Sequence, residues 1–350
     1  MKNKLIVLSG IFILGILLRT INLESNPANL NSAELKFGMN FREIVKYNAG
    51  LLRLPFAIAY SLTIPATVFL IWKLTGRSNH LLSDSGLWTG AFLAVSPWHI
   101  LLSRRAEFPW NYWGQLSLSG FMNRLMLSLS PEYLFFSGDS VFLLTGNSGL
   151  LLSLTLILII FSLILSKKID RMFYISLFLI LTGSIFGSLF VNLGDSRPLI
   201  LSLWGWTIMA GWAASKISGK IWIGLIIIIF SFQALTSVQN ISVHAKRNSE
   251  SQPEYVLKSV AEYIVEVQNR YKRVVVLDIH PQTRDYLIWY SADMIDKNKL
   301  VVDRFRNEYV DLKVLYIGNA DELDRRIGGL TPVKEFFLPS GARIMAAGTK

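Results

Sequence analysis

Residues 87–107 read LWTGAFLAVSPWHILLSRRAE. The first nine are apolar enough for lipid. Then, within twelve residues, come Pro97, Trp98, His99, Arg104, Arg105 and Glu107. An apolar run that ends in such a cluster reads as a membrane helix reaching the water–lipid boundary. Pro97 predicts a kink and Trp98 an interface anchor. His99, Arg104 and Arg105 then gather at headgroup level. Arginine's planar fork suits phosphate oxygens, but arginines at a helix end also snorkel to lipid headgroups. On these residues alone both readings stand.

The rest of the chain agrees with a membrane helix. Of 350 residues 52% are hydrophobic and 17% charged, where soluble domains carry about a quarter charged. Mean hydropathy is +0.41. Seven apolar segments predict transmembrane helices: 4–19, 51–73, 86–103, 149–166, 172–192, 198–215 and 220–238. The stretch 115–130 carries Asn123 and Arg124 at its middle and reads as an interfacial helix. The start, MKNKLIVLSGIFILGILLR, has no small-x-small cleavage site before Arg19, so it reads as an uncleaved first helix. The net charge of +11 fits loop lysines and arginines meeting anionic headgroups, and nucleic acid is not the expected partner. With no cysteine, disulfides, Cys-ligated zinc and thiol catalysis are excluded.

Lys2, Lys4, Lys73, Arg77, Lys167, Lys168, Arg171, Lys216 and Lys220 fall on one side of seven crossings. That side is expected to be cytoplasmic, N-terminus included. Loops 20–50, 104–148 and 193–197, and everything after about 239, are then extracytoplasmic. The outer loops also hold Arg42, Arg53, Arg104, Arg105, Arg124 and Arg197. Positive charge on that side is where a site is sought. The expected domains are a transmembrane bundle over 1–240 and a soluble α/β domain over 241–350. In the latter, Ser251, Pro253 and Glu254 open a helix, RVVVLDI (273–279) and KVLYIG (313–318) are strands, 319–327 is a short helix, and EFFLPSGARIMAAG turns as a hairpin at 339–341.

In the first outer loop Asn31 can cap a helix with Glu34 at its third position. Leu35, Met39 and Arg42 share one face, with Phe37, Phe41 and Ile44 near a second, which fits a helix lying on the membrane surface. Glu34 is either a capping carboxylate or an active-site carboxylate. In SPEYLFFSGDS (130–140) Glu132 and Asp139 flank aromatics, and Asp139-Ser140 reads as a turn. Asp195 and Arg197 in NLGDSRPL (192–199) read as a local ion pair.

Taken in order, NP-x-x-L…E…FG-x-N, RLP, LAVSPWHI-x-x-SR, SPEYLFFSGD, GNSGLL and GDSRP resemble the bacterial protein-mannosyltransferase-like GT-C glycosyltransferases. The resemblance spans most of residues 10–215, and 254–290 resembles the outward-facing tail of some members. It implies a polytopic helical GT-C bundle in the cell membrane with a small C-terminal extracytoplasmic α/β domain. It also implies transfer of a sugar from a polyprenyl-phosphate donor to a glycan, lipid or protein acceptor in the cell envelope. By that resemblance Glu34 is the catalytic carboxylate, and Arg104, Arg105 and His99 bind the donor phosphate. Glu132, Asp139 and Arg197 shape the acceptor side or hold a divalent cation. The chain departs from the family in two ways. Ala33-Glu34 stands where members carry Asp-Glu, and the interval between SPWHI and SPEYLFF lacks several helices, which a membrane-protein partner would have to replace. The alternative is a non-catalytic lipid- or glycan-binding protein on the same scaffold.

Overall fold

The computed structural model describes residues 2–21, 23, 32–75, 84–104, 118–137, 149–165, 170–189, 199–240, 243, 253–277, 282–303, 313–319, 322–323, 329–338 and 343–349. The chain forms two compact units, Met1–Asn26 with Arg53–Lys246, and Pro27–Leu52 with Arg247–Lys350.

The first unit is helical. Its elements are α1 (Lys2–Thr20), most of α4 (Ala49–Thr75), α5 (Asp84–Val95), α6 (Pro97–Ser103), α7 (Leu118–Leu129), a π-helical turn (Glu132–Ser137), α8 (Ser153–Leu165), α9 (Arg171–Leu189), α10 (Ile200–Lys216) and α11 (Lys220–Asn240). All seven predicted apolar segments are helical. Among the described residues four helices are long and apolar enough to cross a membrane: α1, α4, α9 and α11. The other three fall short for identifiable reasons. The segment at 86–103 is broken at Ser96-Pro97 into α5 and α6. Helix α8 is described over 13 residues, up to where the described residues stop, and α10 has 17, about 25 Å at 1.5 Å per residue against about 30 Å of hydrocarbon.

The bundle is built around α5 and α10, which protein buries, whereas α11 is almost wholly exposed. Small residues allow the close packing. A Cβ at Gly211 would collide with Thr89 and the Ser85 carbonyl, and one at Gly205 with the backbone at Ile180 and Ser176. Large apolar side chains point outward instead, such as Ile164, Phe178 and Ile228. In a lipid solvent this is the favourable arrangement, since tails are as apolar as the side chains they meet. The stretch 115–130 yields α7, an amphipathic helix, as its central arginine predicts. Arg124 Nε donates to Ser188 O at 2.8 Å, satisfying a carbonyl in the last turn of α9.

The second unit holds α2 (Ser32–Asn40), α3 (Arg42–Val45), α12 (Pro253–Val267), α13 (Thr283–Tyr290) and a five-stranded sheet. The strands are β1 (Arg273–Leu277), β2 (Leu300–Asp303), β3 (Val314–Asn319), β4 (Thr331–Phe337) and β5 (Arg343–Thr349). Their order is β2-β1-β3-β5-β4. Strand β1 is parallel to β2 and β3, with Val275 opposite both Val301 and Tyr316. Strands β3, β5 and β4 are antiparallel, with Ile317 opposite Ala347 and Phe336 opposite Met345. The predicted strands and hairpin are present, although Ser251 and the turn at 339–341 lie outside the described residues. Of the predicted helix at 319–327, Asn319 instead ends β3, Glu322 and Leu323 are helical, and the other positions lie outside the described residues. Strand β2 and helix α13 are additional.

The boundary near 240 is not the whole division. The sequence reading assigns loop 20–50 to the membrane domain, yet α2 and α3 belong to the unit that contains the sheet. Gly38 explains why. It lies so close to Trp289 of α13 that a Cβ there would meet the indole at 2.7 Å. Tyr47 adds an edge-on contact with Trp289 at 5.5 Å.

Candidate functional site

The break between α5 and α6 is where chemistry-bearing side chains collect. Ser96 is extended and Pro97 opens α6. In an unbroken helix the Leu93 carbonyl would accept from residue 97 and the Ala94 carbonyl from residue 98. Pro97 has no N–H. The Trp98 N–H donates instead to Leu150 O at 3.3 Å. Both orphaned carbonyls are taken by one side chain. Arg19 Nη2 donates to Leu93 O at 3.0 Å, and Nη1 donates to Ala94 O at 3.1 Å and to Gly15 O at 2.7 Å. Arg19 is fully buried. The proline that breaks one helix is thus answered by an arginine 74 residues before the Leu93 carbonyl that it orphans.

The same guanidinium contacts His99 Nδ1. Arginine only donates, so Nδ1 accepts and the proton sits on Nε2. That nitrogen lies 2.9 Å from Thr63 Oγ1, whose own hydroxyl donates to Tyr60 O at 2.6 Å. The buried His99 is therefore the neutral Nε2–H tautomer, flanked edge-on by Tyr60 and Trp98 at 5.4 and 5.0 Å. Here the structure corrects one expectation. Trp98 is a core residue, 1% exposed, rather than an interface anchor. In that tautomer the His99 N–H is directed at Thr63.

Arg104 follows α6 and is also buried. Its Nη1 donates to Leu18 O at 2.8 Å and its Nη2 to Ile21 O at 2.5 Å. Arg53 donates through Nη1 to Leu23 O at 3.0 Å. Both serve carbonyls at the end of α1, where a helix leaves acceptors unsatisfied and the macrodipole favours cations. Arg19 lies within electrostatic reach of Arg104, and Arg104 of Arg53. Neither Arg104 nor His99 sits at an open headgroup surface as the sequence suggests. Arg105 lies outside the described residues.

Glu34 belongs to the other unit, on α2, and is fully buried. Its helix packs against α13 and Trp289, which corrects the reading of α2–α3 as a purely membrane-surface element; Phe41 and Ile44 do remain exposed. Among the described residues, those other than glycine with positive φ fall in this unit: Lys46, Tyr47, Ala292 and Asp293. The Tyr47 hydroxyl is bonded to Asp293, and its pKa is raised above the usual value, by desolvation first and then by the Asp293 charge. Asp293 also pairs with Lys297 at 2.5 Å.

Glu132 begins the π-helical turn and is exposed, its carbonyl accepting from Ser137 Oγ at 3.2 Å. Asp139, Asp195 and Arg197 lie outside the described residues. Among those described, no group of three or more His, Asp or Glu side chains is placed to hold a metal ion. Sequence reasoning missed Arg19 and Thr63. The available signal was an arginine closing one apolar segment and a proline interrupting another.

No family model, characterised protein or solved structure matches the chain.

Proposed function

We propose that this chain is a membrane glycosyltransferase of the GT-C type, taking a sugar from a polyprenyl-phosphate donor for an extracytoplasmic acceptor. The observation that carries the reading is the gathering of Arg53 and Arg104 at the end of α1. Both guanidinia are buried and each donates to a backbone carbonyl there. The departing phosphate of a glycosyl transfer needs positive charge of this kind. The ordered sequence pieces from RLP to GDSRP support the same lineage. The chemistry also needs a base for the acceptor hydroxyl, and Glu34 is the carboxylate proposed for it.

A second reading is a non-catalytic lipid- or glycan-binding protein on that scaffold. Ala33, where the family has aspartate, favours it. The deciding experiment measures binding and turnover of a polyprenyl-phosphate sugar by the purified, detergent-solubilised chain. Wild type, Arg53→Lys, Arg104→Lys and Glu34→Gln are compared. The transferase reading expects binding lost in the lysine variants and turnover lost, with binding kept, in Glu34→Gln. Binding without turnover in wild type, gaining turnover with Ala33→Asp, identifies a disabled enzyme. Binding without turnover in either points to the second reading. Absent binding in wild type removes both.

A further inference from the structure

Helix α11 meets the rest of its unit at few places. Phe230 sits edge-on to Phe92 at 5.2 Å, and Gln233 bonds Ser153 Oγ and the Leu154 N–H at 2.8 and 3.0 Å. On either side of these contacts a cavity separates it from the bundle. The one toward its C-terminal half is lined by Phe135, Phe232, Gln233 and Asn240. The larger, about 440 Å³, lies toward its start, between Ile11, Asp84, Trp88, Ser215, Ile223 and Ile227.

The larger cavity has a clear chemical polarity. Its walls are apolar helix faces, and its charge is confined to one end. There Asp84 Oδ1 accepts from Lys4 Nζ at 2.7 Å, with side chains 69% and 38% exposed. The Ser215 hydroxyl is already donated to Trp212 O. Ile11, Ile223 and Ile227 line the walls between α1 and α11, and an apolar cleft left unfilled forfeits dispersion contacts. In a bilayer the available filler is an acyl chain.

We propose that this cavity binds one phospholipid with a zwitterionic, primary-amine headgroup. The acyl chain lies along Ile11, Ile223 and Ile227. The phosphate meets Lys4 and the ammonium meets Asp84, so the lipid answers each member of that ion pair with a charge-assisted contact. A net-anionic headgroup brings a negative charge to Asp84 without an ammonium to offset it. A quaternary ammonium balances the charge but has no N–H to donate.

The test is native mass spectrometry of the full chain released from detergent, titrated with phosphatidylethanolamine, phosphatidylcholine and phosphatidylglycerol of identical acyl chains. The first is expected to be retained about tenfold more tightly than the other two, the difference one charge-assisted hydrogen bond provides. Asp84→Asn, a change at an exposed position, abolishes that preference while leaving headgroup-independent retention. Ile223→Trp fills the cavity and lowers retention of all three lipids, with the elution profile in detergent serving as the control for folding. Equal retention of the three lipids by wild type overturns the proposal, as does a preference that survives Asp84→Asn.

Discussion

The two ends of the bundle handle charge in opposite ways. At one end cations meet carboxylates near the surface: Lys4 with Asp84, and Lys216 with Asp170 at 2.6 Å, all partly exposed. At the other end Arg19, Arg53 and Arg104 are buried and donate to the carbonyls of Gly15, Leu18, Ile21, Leu23, Leu93 and Ala94. The first arrangement is a set of surface ion pairs of the kind that contribute about 0–1 kcal/mol. The second replaces missing backbone hydrogen bonds, and each buried acceptor left unsatisfied costs about 1–3 kcal/mol. A positive charge on a membrane protein thus has no fixed meaning. Its partner decides whether it positions a ligand, matches a headgroup or completes a helix.

The comparison can be broken most directly at Arg19. Arg19→Met orphans the Leu93 and Ala94 carbonyls together and is expected to cost about 3–5 kcal/mol, read as a large fall in thermal stability in detergent. Arg19→Lys restores only part of it, because one ammonium lacks the fork that spans several acceptors. Stability restored fully by lysine would mean that charge alone, rather than the fork, matters. Next in size is Gly38→Val in the other unit, which drives a side chain into Trp289. Overpacking of that kind costs about 1–3 kcal/mol, and indole fluorescence with protease cleavage of the 32–52 segment would report the undocking.

A double-mutant cycle sharpens the first prediction. Pro97→Ala supplies the N–H that Leu93 lacks, so Arg19→Met in that background should cost about 1 kcal/mol less than in wild type. Strict additivity of the two changes would show that the arginine does not answer the proline. Smallest is the ion-pair end, where Lys4→Gln should move stability by less than about 1 kcal/mol. Tyr47 adds a pH dependence of similar rank. Its raised pKa means that folding favours the protonated phenol. That contribution is complete below the unfolded tyrosine pKa of about 10 and fades as pH rises through the folded value. Alkaline unfolding curves should therefore be shallower in Tyr47→Phe, and superimposable curves would remove the Tyr47–Asp293 contact from the account.

Local patterns carried much of the fold. Seven apolar runs marked α1, α4, the α5–α6 pair, α8, α9, α10 and α11, alternation and turn residues marked β4 and β5, and Pro253 marked the start of α12. What stayed hidden depends on contacts distant in sequence. Nothing near Arg19 indicates carbonyls that Pro97 will orphan 74 residues later. Nothing in SAELKFGMN shows that its glycine seats on an indole in the C-terminal unit rather than on lipid. Strand β2, described over Leu300–Asp303, follows a lysine-rich turn and has no alternation of apolar and polar residues to mark it. At the candidate site the sequence correctly singled out SPWHILLSR as unusual. It could not distinguish an arginine facing phosphate from one facing a carbonyl, since both are planar-fork partners of oxygen.

Gly38 and Trp289 lie about 250 residues apart in a chain made from one end to the other. At 5–20 residues per second, the helix carrying Gly38 is synthesised on the order of 10–50 s before the ring it seats against. Throughout that interval the apolar helices α4, α9 and α11 are made while Leu35 and its neighbours wait without their final partner. The second unit is therefore finished last although one of its pieces is made almost first. A ribosome stalled before residue 289 would hold a nearly complete bundle with an undocked α2. Such a nascent chain is the form in which a chaperone or protease would first meet this protein.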